Sequence, residues 1–143
     1  MAYQLDKYLF SHAGISTVWL KNVGYDNTQS IVEFINDLWH HKPRAFDFAD
    51  NGYGHSDPYG NDTYQTPLWI RPRSLMRAAV SLKKQYVQIV GHTAVKQIDP
   101  GKATGGRYYF IDCFDNIAQY IQLQENNNKY TLQIKQLPDG NNE

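Results

Sequence analysis

The chain has 143 residues, of which 41% are hydrophobic and 20% are charged. These values fit a single domain with a packed core and exclude a wholly disordered chain. Its 14 Lys and Arg residues balance its 14 Asp and Glu residues, so we expect no nucleic-acid partner and no membrane binding. The one cysteine, Cys113, excludes an intrachain disulfide. The single cysteine and the N-terminal sequence, which lacks a signal-peptide pattern, together predict a cytoplasmic location.

The first part of the chain predicts one buried strand and one helix. An apolar run at 8–10 is typical of a strand, and it ends in a turn of small residues at 11–14. Residues 15–27 predict a loop with one short helical turn. Thr28 is typical of an N-cap, and Pro43 predicts the end of the helix that follows. That helix has an apolar stripe of Ile31, Phe34, Ile35 and Leu38.

A long polar segment separates this helix from a second one. Residues 44–66 are rich in Gly, Asp, Asn and Tyr, and a loop of this length is often functional. A mobile surface excursion explains the composition equally well. Ser74 is typical of the N-cap of the second helix, whose apolar face comprises Leu75, Ala78, Ala79 and Leu82.

The C-terminal half is dominated by predicted strands. Apolar or alternating runs predict four of them, at 86–90, 107–112, 118–123 and 130–135. Residues 101–106 predict a flexible connector, and three consecutive asparagines at 126–128 are typical of a hairpin turn. We therefore expect one domain over residues 1–137 and a polar tail at 138–143.

Two histidines stand at corresponding places in two strands. His12 and His92 each follow an apolar strand and have small residues beside them. Neutral imidazole is the commonest metal ligand in proteins, and a ligand at a strand end is held rigidly. We expect the two histidines to lie at adjacent strand ends with their imidazoles within about 8 Å, since shared coordination through metal–nitrogen bonds of about 2.1 Å would bring them closer still. A pair of hydrogen-bonded histidines near the core is the alternative interpretation.

Around these histidines the sequence resembles a known family. Residues 10–14 (Phe-Ser-His-Ala-Gly) resemble the SHAG motif of calcineurin-like metallophosphoesterases, and residues 90–93 (Val-Gly-His-Thr) resemble their GHT motif. Residues 68–72 (Leu-Trp-Ile-Arg-Pro) are similar to the LW-x-R segment of the bacterial serine/threonine-phosphatase-like branch. Residues 109–112 and the late hairpin are similar to its closing strands. The resemblance spans residues 7 to 135 in order.

This resemblance implies a fold and a set of site residues. The fold is α/β, with a mixed sheet and helices packed on one face, and resembles the C-terminal half of a metallophosphoesterase β-sandwich. His12 and His92 would hold one divalent metal ion (Mn, Fe or Zn), and Arg71 would clamp the phosphoryl group of a phosphorylated substrate. An ordinary surface arginine before Pro72 is the equal alternative for Arg71. Asp112 would orient a ligand histidine, although hydrogen bonds within a turn are the interpretation that we favour.

The family's first three motifs, D-x-H, G-D-x-x-D and G-N-H-E/D, precede SHAG. Only eleven residues precede His12, and none of the three motifs occurs in the chain. The resemblance thus predicts a partial domain that is inactive alone and is completed by an N-terminal half. It also predicts a homo-oligomer, because sheet surface would be left uncovered. A non-catalytic binding or assembly module is the alternative. A third possibility is a small enzyme whose metal is held by His12, His92 and a loop carboxylate from 44–66.

Overall fold

A mixed sheet with helices is the main feature of the computed structural model, which describes residues 1–48, 59–78, 82, 86–100 and 107–138. The described strands and helices are, in chain order, β1 (Ala2–Leu5), β2 (Tyr8–Ser11), α1 (Thr17–Asn22), α2 (Ile31–His41), a 3-10 helix (Pro43–Phe46), α3 (Pro72–Ala78), β3 (Val87–Val90), β4 (Tyr108–Phe110), β5 (Gln119–Asn126) and β6 (Lys129–Gln136). This confirms the mixed α/β class. Among the described residues, no helix is long and apolar enough to cross a bilayer.

The four-stranded sheet has the order β1-β2-β3-β4. Strand β1 pairs with β2 in antiparallel fashion, whereas β2, β3 and β4 run parallel. Strand β1 was not predicted from the sequence. It is joined to β2 by a two-residue turn at Asp6 and Lys7, where Asp6 takes a left-handed φ of 53°. The parallel pairing places the carboxyl ends of β2 and β3 side by side, with Ser11 opposite Val90.

One face of this sheet supports the helices. Leu9 of β2 and Val90 of β3 pack in the same buried cluster as Ile35 of α2 and Leu75 of α3. Leu9 pairs with Gln88, which lies two residues before Val90, so Leu9 and Val90 point to the same face, where residues of both helices join their cluster. Trp19 of α1 joins the cluster, so the segment predicted to be a loop with one helical turn contributes a six-residue helix to the core.

The helix starts differ from the sequence prediction. Ser30, not Thr28, caps α2, because its side chain accepts a hydrogen bond from the Glu33 amide while the Glu33 carboxylate accepts one from the Ser30 amide. Such a reciprocal capping box satisfies two otherwise free donors. Thr28 instead bonds to the Asp26 side chain. The helix ends at His41, before Pro43, as predicted.

Ser74 does not cap α3, which begins at Pro72. Proline suits the first helical position because its missing N–H would have no partner there. Ser74 lies inside the helix, and its hydroxyl donates to the Asn61 carbonyl at 2.6 Å. Of the predicted apolar face, Ala79 lies outside the described residues.

The C-terminal hairpin is longer than predicted, and its two strands form a separate sheet. Asn127 and Asn128 occupy its turn with φ of 50° and 60°, the conformation that matches the twist of two-residue hairpins. Strand β4 is shorter than the predicted 107–112. Residues 49–58 of the long polar segment, the connector 101–106 and residues 139–143 of the tail lie outside the described residues.

Candidate functional site

The two strand-end histidines meet. Nε2 of His12 and Nδ1 of His92 lie 2.9 Å apart, and the ring centroids are 4.8 Å apart in an edge-on arrangement. The expectation that the imidazoles lie within about 8 Å is confirmed. The parallel register explains the meeting, because β2 and β3 end side by side and each chain turns immediately beyond its strand.

A backbone hydrogen bond and an unusual backbone conformation hold the two histidine turns together. The Gly91 amide donates to the His12 carbonyl at 2.9 Å, which ties the two turns together beyond the sheet. His92 has a left-handed φ of 67°, which costs a non-glycine residue on the order of 1–3 kcal/mol. The surrounding contacts hold that conformation, and strained backbone of this kind is concentrated at functional sites.

Glycine is required in one turn but not in the other. Gly14 has a φ of 116°, and a Cβ there would lie 2.3 Å from a terminal carbon of Leu75. At Gly91 a Cβ would meet the His12 carbonyl oxygen at 3.7 Å, an ordinary van der Waals contact. Of these two glycines, only Gly14 has a neighbour too close for a Cβ.

The nitrogen pair forms a hydrogen bond, as the alternative interpretation expected, and its spacing also fits two ligands of one metal ion. Metal–nitrogen bonds of about 2.1 Å place the two nitrogens about 3.0 Å apart at a right angle and about 3.4 Å apart at a tetrahedral angle. The observed 2.9 Å lies close to the first value. Within the described part of the chain, however, no three His, Cys, Asp or Glu side chains form a group that could hold a metal. The described residues therefore bring together two candidate ligands.

Arg71 reaches the same turn. Its Nη1 donates to the Thr93 hydroxyl at 3.2 Å, and its Nε donates to the Tyr59 carbonyl at 2.8 Å. These two bonds hold a half-buried side chain at two points and fix the plane of the guanidinium. The structure thus places Arg71 beside His92, and the sequence pattern had left this open.

The surroundings of His92 disfavour its charged form. Partial burial lowers the pKa of His92 below its usual value, and the positive charge of Arg71 and the neighbouring His12 lower it further, while Asp112 opposes them. Nε2 of His92 is also buried without a hydrogen-bond partner among the described residues. A neutral imidazole is the form that binds metal ions.

Two residues at the site were not predicted from the sequence. Trp69 packs edge-on against His92 with ring centroids 6.0 Å apart, and 40% of its surface is exposed. Gln88, in β3, is fully buried and bonds to the turn that follows His12. No local pattern marks either residue, because their partners are distant in sequence.

Of the other titratable side chains, Asp112 acts on the site through its charge, which raises the pKa of His92. His40 and His41 are exposed at the C-terminal end of α2, where positive charge suits the helix dipole. Asp112 is exposed, and its carbonyl accepts a hydrogen bond from the Val95 amide. His55, in the long polar segment, lies outside the described residues.

Comparison of the chain with protein-family models, with curated proteins and with solved structures finds no match. The resemblance to metallophosphoesterases therefore rests on the sequence motifs alone.

Proposed function

We propose that this chain carries the two-histidine part of a metal-dependent phosphoesterase site of the calcineurin-like kind. One observation supports this most strongly: Nε2 of His12 and Nδ1 of His92 converge to 2.9 Å at the ends of two parallel strands. The order of the motifs and the place of Arg71 beside His92 add to it. In this proposal the mixed sheet and its helices form the C-terminal half of a metallophosphoesterase β-sandwich.

His12 and His92 would hold one divalent ion, either Mn, Fe or Zn, through the converging nitrogens. When bound, such an ion polarises a phosphoryl oxygen and lowers the pKa of a coordinated water. The backbone bond between the two turns fixes the nitrogens before a metal arrives, and the lowered pKa of His92 keeps that ring neutral and able to bind.

Arg71 would bind the phosphoryl group. A guanidinium has five N–H donors, and the bonds to Tyr59 and Thr93 use two of them. The remaining donors can form hydrogen bonds to two oxygens of a phosphate at once. A lysine ammonium lacks the planar pair of donors that this arrangement needs. The positive charge beside His92 also suits a dianionic phosphorylated substrate.

Two nitrogens do not complete a catalytic metal site, which usually has at least three protein ligands. Further ligands would come from residues outside the described part of the chain or from a second polypeptide. We therefore expect the chain by itself to show negligible phosphatase turnover with added Mn²⁺. Robust hydrolysis of an aryl phosphate that is lost in His92→Ala would instead favour the small single-metal enzyme.

Isothermal titration calorimetry of the metal-free chain with Zn²⁺ and Mn²⁺ tests the metal site. We expect the chain to bind one ion, with an affinity that is roughly tenfold or more lower in either His12→Ala or His92→Ala. Even the loss of a residue that only contacts a metal ligand lowers metal affinity by about 10- to 100-fold. His40→Ala is the matched control, because it removes an exposed imidazole from α2. Equal losses in all three variants, or no binding by the unaltered chain, would contradict the proposal.

A further inference from the structure

Gln88 is a polar side chain in the middle of the buried sheet. It lies in β3 opposite Leu9 of β2, and only 2% of its surface is exposed. Burying an amide is unfavourable unless its hydrogen bonds are replaced. Here both ends of the amide are bonded: Oε1 accepts from the Ile15 amide at 2.7 Å, and Nε2 donates to the Ile15 carbonyl at 3.0 Å. The side chain is thus held at both ends by the backbone of one residue.

This amide clamp connects the two histidine turns. Ile15 follows His12 closely in one turn, and Gln88 precedes His92 in the strand that leads to the other. The hydrogen bond from the Gly91 amide to the His12 carbonyl joins the same two segments nearer the histidines. The turn after β2 is therefore fixed to β3 at two levels, one among the core residues and one beside the imidazoles.

We propose that Gln88 is a positioning residue that sets the distance between the His12 and His92 imidazoles. Its amide is fully engaged with the backbone of Ile15, so it acts through that backbone and not on a metal or substrate. An apolar side chain of similar size would fill the space but leave a buried N–H and C=O unpaired. The turn would then have to move to find other partners, and shifts of less than an ångström disturb such sites.

The test compares Gln88→Met with a matched control, Gln119→Met. Gln119 also bonds through its side-chain amide to a backbone N–H distant in sequence, that of Ile98 at 2.9 Å, but in the C-terminal hairpin. The first readout is the NMR coupling between His12 Nε2 and His92 Nδ1 across their hydrogen bond in ¹⁵N-labelled protein. The second is Zn²⁺ affinity by calorimetry, and only this second readout rests on the proposed function.

We expect Gln88→Met to lose the coupling and to bind Zn²⁺ at least about tenfold more weakly. Substitution of residues that orient metal ligands commonly lowers metal affinity by this factor or more. Gln119→Met should keep both properties. Gln88→Glu retains an acceptor for the Ile15 amide and should give intermediate values. This partial rescue would not follow if Gln88 merely filled space, because methionine fills it as well.

The outcomes separate the two proposals. A folded Gln88→Met chain with unchanged coupling, or equal changes in Gln88→Met and Gln119→Met, overturns the positioning role. If Gln88→Met does not fold, an unchanged coupling in Gln88→Glu overturns it instead. If the unaltered chain binds no Zn²⁺ but the coupling is lost only on substitution of Gln88, the metal site fails and the positioning role stands.

Discussion

Nε2 of His12 lies 2.9 Å from Nδ1 of His92, across 80 residues of sequence. At this distance one ring donates a hydrogen and the other accepts it, so at least one imidazole is neutral. In the proposed metal site, the same two nitrogens would be the ligands of the shared ion. If the proposed site binds a metal ion, the ion would compete with the shared hydrogen for this pair of atoms.

Protonation of His92 should destabilise the fold. Because burial, Arg71 and His12 lower its pKa in the folded state, the unfolded chain binds more protons than the folded one from just above the usual histidine pKa of about 6.5 down to the folded value. Stability should therefore rise with pH through this window and be level above it. Urea unfolding from pH 5 to 8 measures this, with His92→Gln as reference. A constant difference between the two chains across this range would contradict the prediction.

Substitution of Gly14 should lower the free energy of unfolding for two separable reasons. Gly14→Ala forces a side chain into left-handed backbone and against Leu75, and we expect a loss of about 2–4 kcal/mol. Gly24→Ala is the matched control, because Gly24 has a φ of 87° but a Cβ there would have no neighbour within 4 Å. The free energy of unfolding of Gly24→Ala should fall by only about 1–2 kcal/mol. Chemical denaturation of both variants gives the comparison, and equal losses would show that contact with Leu75 is unimportant.

Removing the Arg71 guanidinium should weaken phosphate binding by the Zn²⁺-treated chain. Charge-assisted hydrogen bonds are worth about 1.5–3 kcal/mol, so we expect Arg71→Ala to lower phosphate affinity by roughly tenfold or more. Arg71→Lys should recover little of the phosphate affinity, because an ammonium cannot donate hydrogen bonds to two oxygens in one plane. Arg73→Ala, which removes an exposed arginine of α3, should have no effect. The same affinity in all of these chains would exclude Arg71 from the site.

We also expect self-association. Large apolar side chains are exposed near the C-terminal end of the described chain, with Phe114 67% exposed, Tyr120 45%, Ile134 39% and Leu137 43%. The net charge of +0 offers little repulsion between copies. Light scattering at micromolar concentration should therefore show a homo-oligomer, most simply a two-fold dimer. A monodisperse monomer would contradict this and would favour a self-sufficient fold.

Local pattern predicted most of the fold, and long-range contacts explain what it missed. The apolar runs of β2, β3 and β4 were recognised, but β1 was not, because Ala2 and Gln4 carry little strand preference. Pairing with β2 is what makes this segment a strand. In the helices, competition between Thr28 and Ser30 for the cap of α2 was decided by Glu33, which forms its capping box with Ser30.

For the candidate site, the sequence identified the histidines but not their support. His12 and His92 follow recognisable strands, so their closeness could be predicted, but the parallel pairing that brings them together could not. Gln88 could not be assigned a role, since its partner Ile15 is 73 residues away and a glutamine in a strand has no distinctive local pattern. Trp69 likewise has no distinctive local pattern, and only the fold places its ring against His92.

The most direct test of the account is to identify the nitrogens that bind the metal. The chain has five histidines, and long-range ¹H–¹⁵N NMR distinguishes Nδ1 from Nε2 in each during titration with Zn²⁺. We predict that Nε2 of His12 and Nδ1 of His92 change together and saturate at one equivalent, while the rings of His40 and His41 do not change. A titration that moves other imidazoles first, or that leaves the His12–His92 hydrogen bond intact at saturation, would contradict the shared metal site.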